Sequence, residues 1–130
     1  MQPILLVDDD ESYQAILGHH LEQLGYEVLL AEDGNEASRI ASRNPPQLII
    51  LDIVMPNMEG LETISRLRLA GVRTRILAIS GAGKAREYLE MAVMMGADAK
   101  FEKTSPIPEL LRVVGLLAKD TRPIACASLL

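Results

Sequence analysis

The sequence has no tryptophan, one phenylalanine and three tyrosines, so its interior must be filled by Leu, Ile, Val, Ala and Met. It has a single cysteine, Cys126, near the C-terminus. One thiol closes no intrachain disulfide, which fits a reducing compartment, and we read it as incidental rather than catalytic. No basic stripe appears in a chain of net charge -5 and pI near 5.0, which argues against a nucleic-acid partner. No apolar run approaches the roughly 20 residues of a membrane span. The opening MQPILLVDD has no basic leader and too short an apolar stretch for a signal peptide. A cytoplasmic location without membrane contact is therefore expected. Repeats, low-complexity tracts and interdomain linkers are also missing, and 130 residues make one domain large enough for a sizeable core.

What is present is a fivefold alternation of strand and helix signals. Pro3 to Val7 reads as a buried strand with an acidic exit from Asp8 to Ser12. A helix follows with Tyr13, Ile16, Leu17, Leu21 and Leu24 on one face, stopped by Gly25. Tyr26 to Ala31 is strand-like but interrupted by Glu27, which places it toward a sheet edge. Asp33 offers an N-cap to a helix carrying Ala37, Ile40 and Ala41, which ends at Asn44-Pro45-Pro46. Leu48 to Leu51 is a continuous apolar run that ends in Asp52, and Pro56, Asn57 and Gly60 take the chain out through a loop. Glu62 to Ala70 forms a helix with Leu61, Ile64 and Leu67 inward, closed by Gly71. Arg75 to Ile79 is the fourth strand. A helix from about Ala85 to Met95 packs Leu89, Ala92 and Val93, and Gly96 stops it. Asp98 to Glu102 is a short edge strand, and Leu110, Leu111, Val114 and Leu117 mark the last helix. Residues 1–119 form the domain and 120–130 a tail without periodicity, mobile or packed back through Leu129 and Leu130. The fold class is α/β, doubly wound, with a parallel sheet and helices on both faces.

Four polar features fall at carboxyl ends of predicted strands: Asp8-Asp9, Asp52, Ser80 and Lys103. In an open α/β sheet that edge is where ligands bind. Clustered carboxylates repel one another, and a hard divalent cation relieves the repulsion. A few carboxylates suit Mg²⁺ with waters and a phosphate oxygen, and a cluster without His or thiolate disfavours zinc. Asp52 can act as a nucleophile, because carboxylates form aspartyl phosphates. Lys103 and the Ser80 hydroxyl would clamp the phosphoryl oxygens. Taken singly each has a plainer reading: Asp10 as a helix cap, Ser80 as a loop serine, Lys103 as a solvated charge. Ser80 to Lys84 lacks P-loop spacing, and Ala85 stands where Ser or Thr is required.

ILLVDDDE, LIILDIVMPNMEG, ILAIS and GADAKFEK stand in the order and at the spacing found in the receiver domains of two-component response regulators, which residues 3 to about 119 resemble. The resemblance implies a flavodoxin-like sheet of five strands in the order 2-1-3-4-5. It implies that Asp52 is the phosphoacceptor, Ser80 the switch hydroxyl and Lys103 the phosphate-binding lysine. Asp9, Asp52 and the Val54 carbonyl become Mg²⁺ ligands, with Asp8 helping through water. The donor would be a histidine kinase or phosphotransfer protein, the output an unnamed protein partner, and the only chemistry transfer to and hydrolysis from Asp52.

The chain departs from that family at two places. Lys100 stands where the family has an aromatic residue, and Phe101, facing the other side of the strand, is expected in the core. Thr104 stands where proline normally follows the lysine through a cis bond. A cis bond before a non-proline residue costs about 2.5–4 kcal/mol, so a trans Lys103–Thr104 bond or a strained cis one is expected. Val54 and Ala82 flank the expected path of a hydrolytic water, and neither side chain can activate it. The rival reading is a receiver-like protein-interaction module that is not phosphorylated. A flavodoxin-like cofactor binder fits less well, because acidic residues rather than glycines follow the first strand and would repel an anionic cofactor.

Overall fold

The structure is a computed structural model, and it describes residues 2–55, 59–81 and 85–119. In chain order the elements are β1 (Ile4–Val7), α1 (Glu11–Gln23), β2 (Val28–Ala31), α2 (Gly34–Arg43), β3 (Leu48–Asp52), α3 (Glu59–Leu69), β4 (Ile76–Ser80), α4 (Ala85–Met95), β5 (Ala99–Glu102) and α5 (Ile107–Lys119). The strands form one parallel sheet in the order β2-β1-β3-β4-β5, as the family resemblance implies.

The three inner strands are buried along their whole length, because helices cover both faces. Alternation along each strand divides the core in two. Leu5, Val7, Ile49, Leu51, Ile76 and Ala78 pack against Ala37, Ala41, Ile64, Leu67, Leu89 and Ala92 of α2, α3 and α4. Ile4, Leu6, Leu48, Ile50, Leu77 and Ile79 pack against Leu17, Leu21, Leu110, Val114 and Leu117 of α1 and α5. β2 and β5 are the edges, as their interrupted patterns predicted, and each carries exposed positions.

The helix ends follow the sequence chemistry. Asp10 caps α1 and Asp33 caps α2, while Gly25, Gly71 and Gly96 follow α1, α3 and α4 with positive φ. Two apolar stripes are narrower than their periodicity implied. Ile16 and Leu24 are exposed, as is Val93. Ile16 and Val93 sit about 100° around the helix from the buried Leu17 and Ala92, on the side turned away from the sheet. Leu24 lies in the C-cap, past the last full turn of α1.

α3 begins at Glu59, earlier than the Glu62 predicted, because Gly60 is part of the helix and not of the turn. A Cβ at Gly60 would lie 2.3 Å from Ile53 Cα and 2.6 Å from the Asp52 carbonyl oxygen. The first turn of α3 therefore rests directly on the backbone that leaves β3. At the opposite edge of the sheet, the Arg68 guanidinium donates to the carbonyls of Val72, Thr74 and Gly96 and to Asp98 Oδ2. That carboxylate also accepts from the Ile76 amide, so one arginine ties together the loops beneath β4 and β5. Among the described residues no helix is long and apolar enough to cross a membrane.

Candidate functional site

Successive strands are added to one side of β1 and then to the other, so β1 and β3 lie side by side and parallel, with Val7 opposite Leu51. One residue further on, Asp8 and Asp52 stand together at the switch point, where open α/β sheets bind ligands. Asp8, Asp9 and Asp52 each bring a carboxylate oxygen within 4.8 Å of the others. Asp8 and Asp52 are buried, and Asp9 is exposed at the rim. Asp9 and Asp52, with Asp10, Val54, Gly81 and Lys103, border an open crevice of about 380 Å³, and Asp8 lies buried behind them.

Lys103 follows β5 and reaches across β4 into this cluster. Its ammonium lies 2.8 Å from Asp8 Oδ2 and 3.3 Å from Asp52 Oδ2. The remaining oxygens are oriented by backbone: the Asp10 amide donates to Asp8 Oδ1, and the Val54 amide donates to Asp52 Oδ1. Asp8 Oδ2 is sealed from solvent and takes no well-directed hydrogen bond, so the ammonium is its charge partner. Burial works against the Lys103 ammonium, but the close pairing with Asp8 and the charge of Asp52 prevail and raise its pKa. Asp52 is pushed up to about 7: burial raises it, Lys103 pulls it down, and the Asp8 charge raises it again.

These values describe a site short of positive charge. Fully ionised, three carboxylates against one ammonium leave two negative charges, the complement of one divalent cation. The donors are all oxygens, including one buried oxygen without a directed donor, which fits a hard cation such as Mg²⁺.

The structure thus brings Asp8, Asp9, Asp52, Val54 and Lys103 together at one edge of the sheet. Ser80 is the last residue of β4, one step beyond Ile79, the partner of Asp52. It is fully buried, and its carbonyl accepts from the Lys103 amide, but its side chain does not line the crevice. Ala82 and the tail lie outside the described residues. No described peptide bond is cis, so Lys103–Thr104 is trans, and the Ser105 amide closes a turn onto the Glu102 carbonyl. Phe101 packs on the α1/α5 side of the core, as alternation required, and Lys100 is exposed.

Two contributors were not read as site residues. Tyr13 was assigned to the apolar face of α1, yet its ring centroid lies 4.3 Å from the Lys103 ammonium. Its phenol pKa is raised, chiefly by burial. The available signal was position: a helix that starts straight after an acidic strand exit overhangs that exit with its first turn. Gly81 is the other, since a Cβ there would lie 3.2 Å from Lys103 Cβ.

The model of the response regulator receiver domain matches residues 4–115. The chain belongs to the response regulator receiver domain family. Curated relatives include the response regulator MprA of Mycobacterium leprae, 35% identical over 120 residues, covering 92% of this chain and 52% of the relative. The alkaline phosphatase synthesis transcriptional regulatory protein PhoP of Bacillus subtilis is 34% identical over 118 residues, covering 90% of this chain and 49% of that protein. This receiver domain therefore spans about half the length of these relatives. The receiver domain of the Francisella response regulator 1452 superposes with a TM-score of 0.83 at 27% identity, covering 94% of this chain and all of that one.

Proposed function

We propose that this receiver domain accepts a phosphoryl group on Asp52 from the phosphohistidine of a kinase or phosphotransfer protein, and that the transfer changes a partner-binding surface. The observation that carries the reading is the placement of Asp52: a buried carboxylate facing an open crevice, with an ammonium at 3.3 Å and two further carboxylates within 4.8 Å. An Asp52 oxygen attacks phosphorus, the P–N bond to the imidazole breaks, and the imidazole nitrogen keeps that electron pair and takes up a proton. Lys103 is in place to leave Asp8 and Asp52 for the entering phosphoryl oxygens. Ser80 would follow, its hydroxyl becoming a donor to the phosphoryl group as the end of β4 shifts. Mg²⁺ held by Asp8, Asp9, Asp52 and the Val54 carbonyl would offset charge on the carboxylates and the phosphoryl oxygens. We take residues 1–119 as the functional unit, cytoplasmic because its donor would draw on ATP.

The test is intact mass after incubation with Mg²⁺ and acetyl phosphate, with Asp52→Asn and a chelated control alongside. One phosphoryl adduct is expected on the unaltered chain only. If neither acetyl phosphate nor a phosphorylated histidine kinase gives an adduct, the unphosphorylated interaction module takes its place.

A further inference from the structure

The cap of α1 sets a tyrosine above the phosphate clamp. Asp10 Oδ1 accepts from the amides of Ser12 and Tyr13 at 3.0 and 3.2 Å, which fixes the third residue of the helix over the sheet edge. From there the Tyr13 ring faces the Lys103 ammonium at 4.3 Å from its centroid. The lysine stem passes Gly81, where a Cβ would come within 3.3 Å of Lys103 Cδ. Lysine is a compact charge on a flexible stem, and carboxylates attract it without prescribing a direction. A ring face adds a contact that is specific in position and carries no charge. A third acidic contact would deepen the repulsion within the cluster, whereas an aromatic ring does not. The ring contact also differs in kind from the pair with Asp52 Oδ2, since phosphorylation would replace the carboxylate partner and leave the ring as it was.

We propose that Tyr13 is a positioning residue for phosphoryl capture: its ring holds the Lys103 ammonium beside Asp52 before and during transfer. The proposal rests on Asp52 being the phosphoacceptor. A cation–π contact of this kind corresponds to a roughly two- to fivefold rate effect.

The experiment measures the rate of adduct formation from acetyl phosphate with Mg²⁺ for the full chain, Tyr13→Phe and Tyr13→Leu, with Tyr13→Met as a second ring-less variant. The Lys103 ε-methylene protons are followed by NMR in the same proteins. Expected are a Phe variant equal to the parent and ring-less variants slower by the factor above, with the upfield ring shift of Lys103 kept in Phe and lost in the others. Ring-less variants as fast as the parent, a Phe variant as slow as Leu, or a Lys103 signal without ring shift would each overturn the role of Tyr13 while leaving Asp52 as acceptor. A parent chain that forms no adduct with any donor would remove the phosphoacceptor reading and this role together.

Discussion

Replacing Asp52 by asparagine is expected to stabilise the metal-free protein, and to do so more as pH rises. In the folded chain Asp52 holds its proton to a pKa of about 7, against an ordinary value of 3.8, chiefly because it is buried. Between those values the folded state binds more protons at this residue than the unfolded state does. Stability from this group is thus fully present at acid pH, falls as pH climbs from 3.8, and levels off above about 7. The whole shift corresponds to about 4 kcal/mol, and the part lost between pH 5 and pH 8 to roughly 2–3 kcal/mol. Asparagine does not titrate, and Asp8 remains at 2.8 Å to keep Lys103 paired. Urea unfolding of both proteins in chelator from pH 5 to pH 8 measures the effect. The stability difference should widen by that amount in favour of Asn, and saturating Mg²⁺ should narrow it by stabilising the parent chain more than the variant. Parallel profiles, or a parent chain that gains on Asn with rising pH, would falsify the charge balance assigned to this crevice.

Three further outcomes follow from contacts nearby and remote. Gly60→Ala should cost about 1–3 kcal/mol in chemical denaturation and slow adduct formation, because its Cβ would meet backbone at Ile53 and Asp52 that cannot rotate aside. Arg68→Ala should cost roughly 2–3 kcal/mol, less than for a fully sealed pair because the guanidinium keeps some solvent, yet leave the adduct rate of the folded protein unchanged. Val54 borders the crevice with an apolar side chain, so Val54→Gln should shorten the lifetime of the phosphoryl group severalfold by orienting a water. An unchanged lifetime would show that side chains at this position do not govern hydrolysis.

The sheet was legible because its inner strands are buried on both faces and read as unbroken apolar runs, and the site was legible because each run ends in a polar group. Asp8, Asp52 and Lys103 needed only the topology to bring them together. Lateral contacts were harder to read. Periodicity marked Ile16, Leu17 and Leu21 alike, but only a sheet of known curvature decides that Ile16 stays in solvent. Gly60 reads as a turn residue from sequence, because its helical role depends on how closely α3 approaches the backbone after Asp52. Tyr13 met the same limit. Its contact crosses from α1 to the end of β5, about 90 residues away in sequence, and no local pattern encodes it.

The lysine at position 100 constrains how this receiver domain can signal. Lys100 pairs with Ala78 in the ladder while Phe101 pairs with Ile79, so the two side chains face opposite sides of β5. Phe101 is committed to the layer formed by α1 and α5. The ring of Phe101 therefore cannot turn toward the α4 side without reversing the strand. Lys100 is on the correct side, but carrying an unpaired ammonium inward toward the buried end of β4 costs several kcal/mol. An inward swing at position 100 is accordingly disfavoured, and Lys100 should remain in solvent in both states. Amine labelling of Lys100, quantified by peptide mass, should proceed at the same rate with and without the phosphoryl group on Asp52. Strong protection on phosphorylation would show that the ammonium finds an inward partner. Equal labelling would show that Lys100 presents a constant positive charge on the α4 side of β5 in both states.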